Sequence, residues 1–330
     1  MTRGKGEKQQ SYHLGVVIIN YRTPQLTVDC LQSLAGEIPQ LPPTMVAVVD
    51  NNSGDDSMAI IQKAIQENNW QPWIVLIPSS VNGGFSYGNN LGIKAIHAEN
   101  YLLLNSDTIV RPGAIKILLS ALTEYPQAGI IGPRLEELDG TPQISCFRYR
   151  NPLGELINAA QTGIITKTLS RYNVPLPVTD NPTFVQWVSF ACVLVRRQVI
   201  EQIGLMDEGY FMYFEDVDYC RRAKEAGWGV LYYPHARVAH LRGRSSSVKE
   251  DIAAKRRLPP YYYASRSRYF AKFYGVFGLW WANLLWLAGR SVSLLRELVE
   301  RKPTGVCEKE ALDIWTNWLN PLGGRVGYRE

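Results

Sequence analysis

The chain lacks several features that would have settled its class early. It has no Cys-x-x-Cys pair, and its five cysteines (Cys30, Cys146, Cys192, Cys220 and Cys307) are scattered and odd in number. That pattern excludes a disulfide framework and fits a reduced, cytosolic setting. No Gly-Lys-Ser/Thr sequence occurs, so a Walker A phosphate loop is excluded. No apolar run reaches the ~20 residues that a membrane-spanning helix requires. The longest, residues 276–288, is interrupted by Asn283 and reads as a buried helix or one lying in a membrane interface. Charge is also in short supply. A net +5 over 330 residues argues against nucleic acid as a partner and is compatible with an anionic ligand or a membrane surface.

What is present is a full apolar complement, 46% of residues against 20% charged, enough to bury a core. Residues 1–13 open polar and Gly/Lys-rich and are expected to be a disordered lead-in. Apolar segments at 16–19, 46–49, 74–77, 101–104 and 129–132 then read as buried strands. Helix patterns separate them, one opened by Thr23-Pro24, with Leu26, Cys30, Leu31 and Leu34 on one face. A second begins at Asp55-Asp56-Ser57, with Ile60, Ile61, Ala64 and Ile65 apolar, and a third spans about 87–98. Continuous apolar strands alternating with helices predict an α/β fold, a parallel sheet covered on both faces. Ligands of such sheets bind beyond the carboxyl ends of the strands. Those ends carry Asn20, Asp50 and Asp107. Residues 136–183 are irregular and read as a variable excursion. Segments 187–195 and 230–233 read as further strands, and everything from 252 onward as helical, aromatic and basic.

Four motifs carry chemistry. Asp107, after the strand at 101–104, is a hard oxygen ligand suited to a divalent cation, and also an ordinary helix cap. The Gly-rich loop Asn82-Gly83-Gly84-Phe85 precedes a helix and would admit a phosphate or ribose closely, or simply turn the chain. It is not Gly-x-Gly-x-x-Gly. His240 sits at a strand end before a basic Gly/Ser-rich stretch that would suit a diphosphate. Residues 210–219 place five aromatic side chains around Glu215, Asp216 and Asp218 at the start of a helix pattern. A carboxylate walled off from water can act as a base, whereas acids in a first helical turn also simply complement its dipole.

Taken in order, these segments resemble the family-2 inverting glycosyltransferases, in particular a rhamnosyltransferase-like branch with a GT-A fold. The resemblance runs over about residues 15–246. Its motifs are residues 17–21, 49–53, 82–85 with 88–90, 104–107 and 214–218, then His240 with Gly243 and Ser245. It implies a Rossmann-like, mostly parallel sheet with helices on both faces, plus a C-terminal helical extension. On this view residues 14–246 are the catalytic domain, with a nucleotide half (14–135) and an acceptor half (136–246). Residues 247–330 are the extension.

The resemblance also implies roles. Asn20, Tyr21, Asp50, Asn82, Gly83, Gly84, Phe85, Asn89 and Asn105 would bind the nucleoside-diphosphate sugar, with Arg242 and Arg244 on the diphosphate. Asp107 and His240 would hold Mg²⁺ or Mn²⁺, Asn105 replacing the first acid of the family's Asp-x-Asp motif. Asp216 would be the catalytic base and Glu215 its acceptor-side neighbour, with Asp218 left as a helix-start acid. The aromatics of 210–219 would wall an acceptor site, and Phe190 is expected to crowd the region near acceptor or sugar. The reaction would move a sugar, rhamnose by resemblance, to a hydroxyl of a saccharide or lipid-linked acceptor. A sugar-nucleotide pyrophosphorylase and a non-catalytic nucleotide-sugar binder are the alternatives. Trp, Arg and Lys in 252–330 would suit peripheral contact with the cytoplasmic membrane face, packing on the catalytic domain, or a homodimer contact.

Overall fold

The computed structural model describes residues 11–241, 248–300 and 304–327. Strands β1 (Tyr12–Asn20), β2 (Thr44–Asp50), β3 (Ile74–Pro78) and β4 (Ala98–Asn105) form the first half of the sheet. They alternate with α1 (Pro24–Ala35), α2 (Ser57–Glu67) and α3 (Gly84–Ala95). Then come β5 (Thr108–Val110), α4 (Ala114–Glu124), β6 (Ala128–Glu136), β7 (Cys146–Phe147), α5 (Pro152–Ala160) and α6 (Gly163–Thr168). Strands β8 (Thr183–Val185), β9 (Trp187–Val188) and β10 (Cys192–Arg196) follow, then α7 (Arg197–Ile203), α8 (Glu215–Glu225) and β11 (Gly229–His240). Helices α9 (Val248–Ala253), α10 (Pro260–Glu300) and α11 (Glu310–Asp313) complete the described chain.

The central sheet has the order β3-β2-β1-β4-β10-β6-β11-β5, with β8 on β11. Strands β1, β2, β3, β4, β6 and β11 run one way, and β5, β8 and β10 run the other. The sheet is thus mostly parallel, as expected. Its strands bury both faces. Leu14, Val16 and Ile18 of β1 pack under α1, α2 and α4, and Val17 packs toward α3, α8 and α10.

Several boundaries differ from the sequence reading, each for a physical reason. Tyr12 and His13 belong to β1, inside the expected lead-in. Ile60 is exposed on α2, and only Ser57, Ile61 and Ile65 are buried there. The run 187–195 is two strands, not one: β9 pairs with β7 in a separate ribbon, and only β10 enters the central sheet. An apolar run cannot report that it crosses between sheets. Strand β11 does not end at Tyr233. It slips register between Tyr233 and Arg237, around Pro234, and resumes to His240. Proline has no N–H for the ladder, so it sits at an irregularity. The excursion at 136–183 contains α5, whose N-cap Asn151 accepts from the Gly154 N–H at 2.9 Å. Helix α5 lies against α10, where a Cβ on Gly289 would meet the Leu156 carbonyl oxygen at 2.5 Å. Only glycine permits that crossing.

Candidate active site

The parallel register brings the first motifs together. Asn20 pairs with Asp50 across β1 and β2, and Ile19 with Asn105 across β1 and β4. Asp50 is buried and held on two sides. Its Oδ1 accepts from Asn20 Nδ2 at 2.7 Å and from the Ser53 hydroxyl at 2.6 Å, and Oδ2 from the Ser53 N–H at 3.1 Å. Thr27 donates to Asn20 Oδ1 at 3.0 Å. This network fixes the strand-end turn, so Asp50 shapes the edge as well as presenting a carboxylate there. Tyr21 is half-buried, with the Arg22 guanidinium 5.2 Å from its ring centre.

Asn51, which sequence reasoning did not single out, ties this edge to the Gly-rich loop. Its Nδ2 donates to Asn82 Oδ1 at 3.0 Å and to the Gly84 carbonyl at 3.2 Å, and its Oδ1 accepts from the Gly83 N–H. Gly84 has φ +78°, and a Cβ there would lie 2.0 Å from the Phe211 carbonyl oxygen. That same carbonyl accepts from the Phe85 N–H at 2.7 Å. The Gly-rich loop and the acidic block, remote in sequence, are therefore joined through the backbone. Asn89 is buried in α3, where its amide donates to the Phe85 carbonyl, so it supports the loop from beneath. Arg325 was also missed. It donates to the Gly83 carbonyl at 2.7 Å, with its guanidinium 5.5 Å from the Tyr87 ring centre.

Asp107 follows β4 and is 1% exposed. The Pro234 irregularity lets β11 continue to His240, which pairs with Thr108 of β5. His240 Nε2 then lies 3.6 Å from Asp107 Oδ1. One carboxylate and one imidazole, converging at the strand ends, fit a divalent cation that takes its remaining ligands from substrate phosphates and water. Among the described residues no group of three or more His, Cys, Asp or Glu side chains forms a closed metal cage. Arg242, Arg244, Gly243 and Ser245 lie outside the described residues.

The acidic block opens α8 after two aromatic residues with positive φ, Tyr213 and Phe214, both at +70°. Non-glycine residues rarely hold that conformation, and such backbone tends to occur at functional sites. Its three acids have separate fates. Asp218 is fully buried and paired, with Arg222 Nε at 2.8 Å, Lys272 Nζ at 2.6 Å and the Tyr210 hydroxyl at 3.1 Å. It joins α8 to α10 rather than merely capping a helix. Glu215 is buried, and its Oε2 has no hydrogen-bond partner among the described residues. Burial holds its carboxyl well above the ordinary range, and the neighbouring Asp216 charge adds to this. Asp216 is half-buried. Burial pushes its carboxyl up to about 6, against the lowering pull of the Val217 N–H and the Arg150 charge. Both carboxyls thus hold their protons more tightly than free ones, Glu215 the more so.

Two expectations about the aromatics are corrected. Phe190, in the link between β9 and β10, is buried beside Tyr219 of α8, ring centres 6.1 Å apart. It packs behind the helix and does not crowd the cleft. Tyr210, Phe211, Phe214 and Tyr219 are likewise core residues, and of the five only Tyr213 is half-buried. Tyr210, Phe211 and Tyr219 seat the block, while Phe214 also lines a cavity between α5 and α10.

The family described as glycosyltransferase-like family 2 matches residues 12–258. The chain belongs to this family. A curated relative from Mycobacterium tuberculosis, an N-acetylglucosaminyl-diphospho-decaprenol L-rhamnosyltransferase, is 30% identical over 279 residues, covering 78% of this chain and 84% of the relative. The low-salt glycan biosynthesis hexosyltransferase Agl10 of Haloferax volcanii is 26% identical over 215 residues, covering 64% of this chain and 61% of the relative. Among solved structures, a Pyrobaculum calidifontis mannosyltransferase in complex with GDP-Man and Mn²⁺ shares the fold. Its TM-score is 0.56 at 12% identity, over 89% of this chain and 76% of that one. The family-2 chain is therefore an enzyme, a glycosyltransferase with a GT-A fold. The pyrophosphorylase and the non-catalytic binder drop out.

Proposed function

We propose that the enzyme inverts the configuration of a sugar, rhamnose by likeness to the M. tuberculosis relative, while moving it from a nucleoside diphosphate to a hydroxyl of a lipid-linked or saccharide acceptor. The observation that carries this reading is Asp216. It is a half-buried carboxylate that burial pushes up to about 6, beside a Glu215 whose carboxyl burial holds well above the ordinary range, on a segment bonded to the Gly-rich loop. Asp216 takes the proton of the acceptor hydroxyl as that oxygen bonds the anomeric carbon. The bond from that carbon to the diphosphate oxygen breaks in the same displacement, and the nucleoside diphosphate leaves. One base suffices, with no covalent sugar intermediate. Glu215, its carboxyl held above the ordinary range by burial, binds an acceptor hydroxyl beside the base. The strand-end residues Asn20, Tyr21, Asp50, Asn82–Phe85 and Asn105 line the donor side, with Asn89 supporting the loop. From sequence alone, Arg242 and Arg244 are proposed to face the diphosphate.

Asp107 and His240 are the residues that would hold Mg²⁺ or Mn²⁺, which when bound offsets charge on the departing diphosphate. The mannosyltransferase that shares the fold was solved with Mn²⁺. Turnover with a panel of nucleotide sugars tests the assignment. Asp216→Asn should lower the rate by about 10²–10⁴. Retained activity would remove Asp216 as the base.

We further propose peripheral contact with a membrane surface. Among the described residues no helix is long and apolar enough to cross a membrane. Helix α10 nevertheless exposes Phe277, Trp281, Leu284, Leu295 and Val299 along one side, with Phe277 86% exposed. Trp280, Trp315 and Trp318 cluster nearby, and tryptophan favours the headgroup region. Flotation with anionic vesicles should fall in a Phe277→Glu/Trp281→Glu variant. Absence of flotation, with a stable dimer by sedimentation, would instead make the stripe a contact between two copies.

A further inference from the structure

A half-open pocket lies beside the acidic block. Helix α5, the first part of α10 and residues 305–314 surround a cavity of about 190 Å³. Phe214 and Arg150 form part of its wall, and Arg150 is close enough to Asp216 for its charge to act on that carboxyl. Helix α10 contributes Tyr263, Arg266 and Trp286.

The buried polar atoms of this cavity are out of balance. Arg266 is 3% exposed. Its Nε donates to Glu155 Oε2 at 2.9 Å and Nη1 to Asn283 Oδ1 at 2.6 Å, but Nη2 has no hydrogen-bond partner among the described residues. The hydroxyl of Tyr263, a residue 1% exposed, has none either. The two carboxylates of the lining are engaged, Glu155 by Arg266 and Glu310 by the Cys307 N–H at 3.0 Å. Arg150 forms no ion pair among the described residues. Buried donors without partners are rare and costly, so each calls for an explanation. No acceptor oxygen reaches Arg266 Nη2 or the Tyr263 hydroxyl among the described residues, and the cations of the lining, Arg150, Lys255 and Arg266, outnumber its two carboxylates, which favours an anion. A guanidinium fork is the side chain best matched to phosphate oxygens.

We propose that the cavity binds the diphosphate of a lipid-linked acceptor, through Arg266 Nη2, the Tyr263 hydroxyl and Arg150. This deepens the transfer reading above and rests on it. The position suits an acceptor whose reacting hydroxyl reaches Asp216 while its diphosphate sits beyond Phe214. Beyond Trp286, α10 also exposes Val292, Leu295, Leu298 and Val299, apolar surface available to a lipid chain on the side of the helix away from the cavity.

The test uses farnesyl diphosphate as a soluble prenyl diphosphate, titrated into the full chain by calorimetry, with hydrogen exchange locating the contact. Protection is expected in residues 260–270 and 305–314. Inorganic pyrophosphate should bind there more weakly, and anionic vesicles without a prenyl diphosphate should give no protection there. Tyr263→Phe should weaken farnesyl diphosphate binding about tenfold. Its urea midpoint should not fall, since the hydroxyl has no hydrogen-bond partner among the described residues. Protection confined to 51–54 and 82–85, or an unchanged affinity in Tyr263→Phe, would overturn the proposal. Pyrophosphate binding as tightly as the prenyl ligand, or equal protection by vesicles, would overturn the lipid-linked assignment. Asp216→Asn separates the two readings: it should abolish transfer and leave farnesyl diphosphate binding intact.

Discussion

Asp216→Asn should make the protein more stable while making it inactive. In the unfolded chain the Asp216 carboxyl loses its proton near the ordinary value of 3.8, and in the folded chain near 6. Between those values the folded state binds more protons, so stability falls as pH rises through this window. The gap corresponds to about 3 kcal/mol, fully felt above pH 6 and absent below about 3.8. Asparagine cannot ionise, so it escapes the penalty, and its side-chain oxygen can still accept the Val217 N–H that bonds Asp216 Oδ1 at 2.8 Å. Urea denaturation of both proteins should therefore show the variant more stable by up to about 3 kcal/mol at pH 8. The advantage should shrink below about 1 kcal/mol near pH 4. A variant no more stable than wild type at pH 8, or an advantage that persists unchanged into acid, would refute the placement of an ionised, poorly solvated carboxylate at this position.

Asp218→Asn should do the opposite, costing about 3–5 kcal/mol, because it leaves Arg222 beside a buried position without its counter-charge and Lys272 with Asp207 alone; urea denaturation at pH 8 distinguishes the two neighbours. Gly84→Ala should destabilise by at least about 2 kcal/mol, through the clash with Phe211 and the positive φ, and the same measurement reads it. Asp107→Asn and His240→Ala should each weaken Mn²⁺ binding in the presence of a nucleoside diphosphate by at least about tenfold, measured by calorimetry. The rate of wild-type transfer should rise with pH through about 6 as Asp216 ionises, and unchanged activity from pH 5 to 8 would count against it as the base.

Much of the donor side was legible in the chain because parallel strands announce themselves. Each is a short, continuous apolar run, and its polar successor falls at the sheet's carboxyl edge. Asn20, Asp50 and Asp107 could be placed on one edge before any contact was known; the register pairs Asn20 with Asp50 and Ile19 with Asn105, two residues before Asp107. The acceptor side was less legible. Nothing local in residues 187–195 reports the switch from ribbon to sheet that turns Phe190 inward. Asn51 and Arg325 passed unnoticed because an Asn in a turn and an Arg near a terminus are ordinary until their partners, Asn82 and Gly83, are known.

The sequence by itself determined the order of elements, the family motifs and which residue types were available for chemistry. It could not apportion the work among Glu215, Asp216 and Asp218, since all three sit at the start of one helix. Tertiary packing decided that. Asp218 points toward Arg222 and Lys272 and becomes structural, Glu215 is buried without an opposing charge and holds its proton more tightly than a free carboxyl, and Asp216 stays partly open with Arg150 nearby. Solvation and counter-charge belong to positions in space, and adjacent residues on a helix face different surroundings.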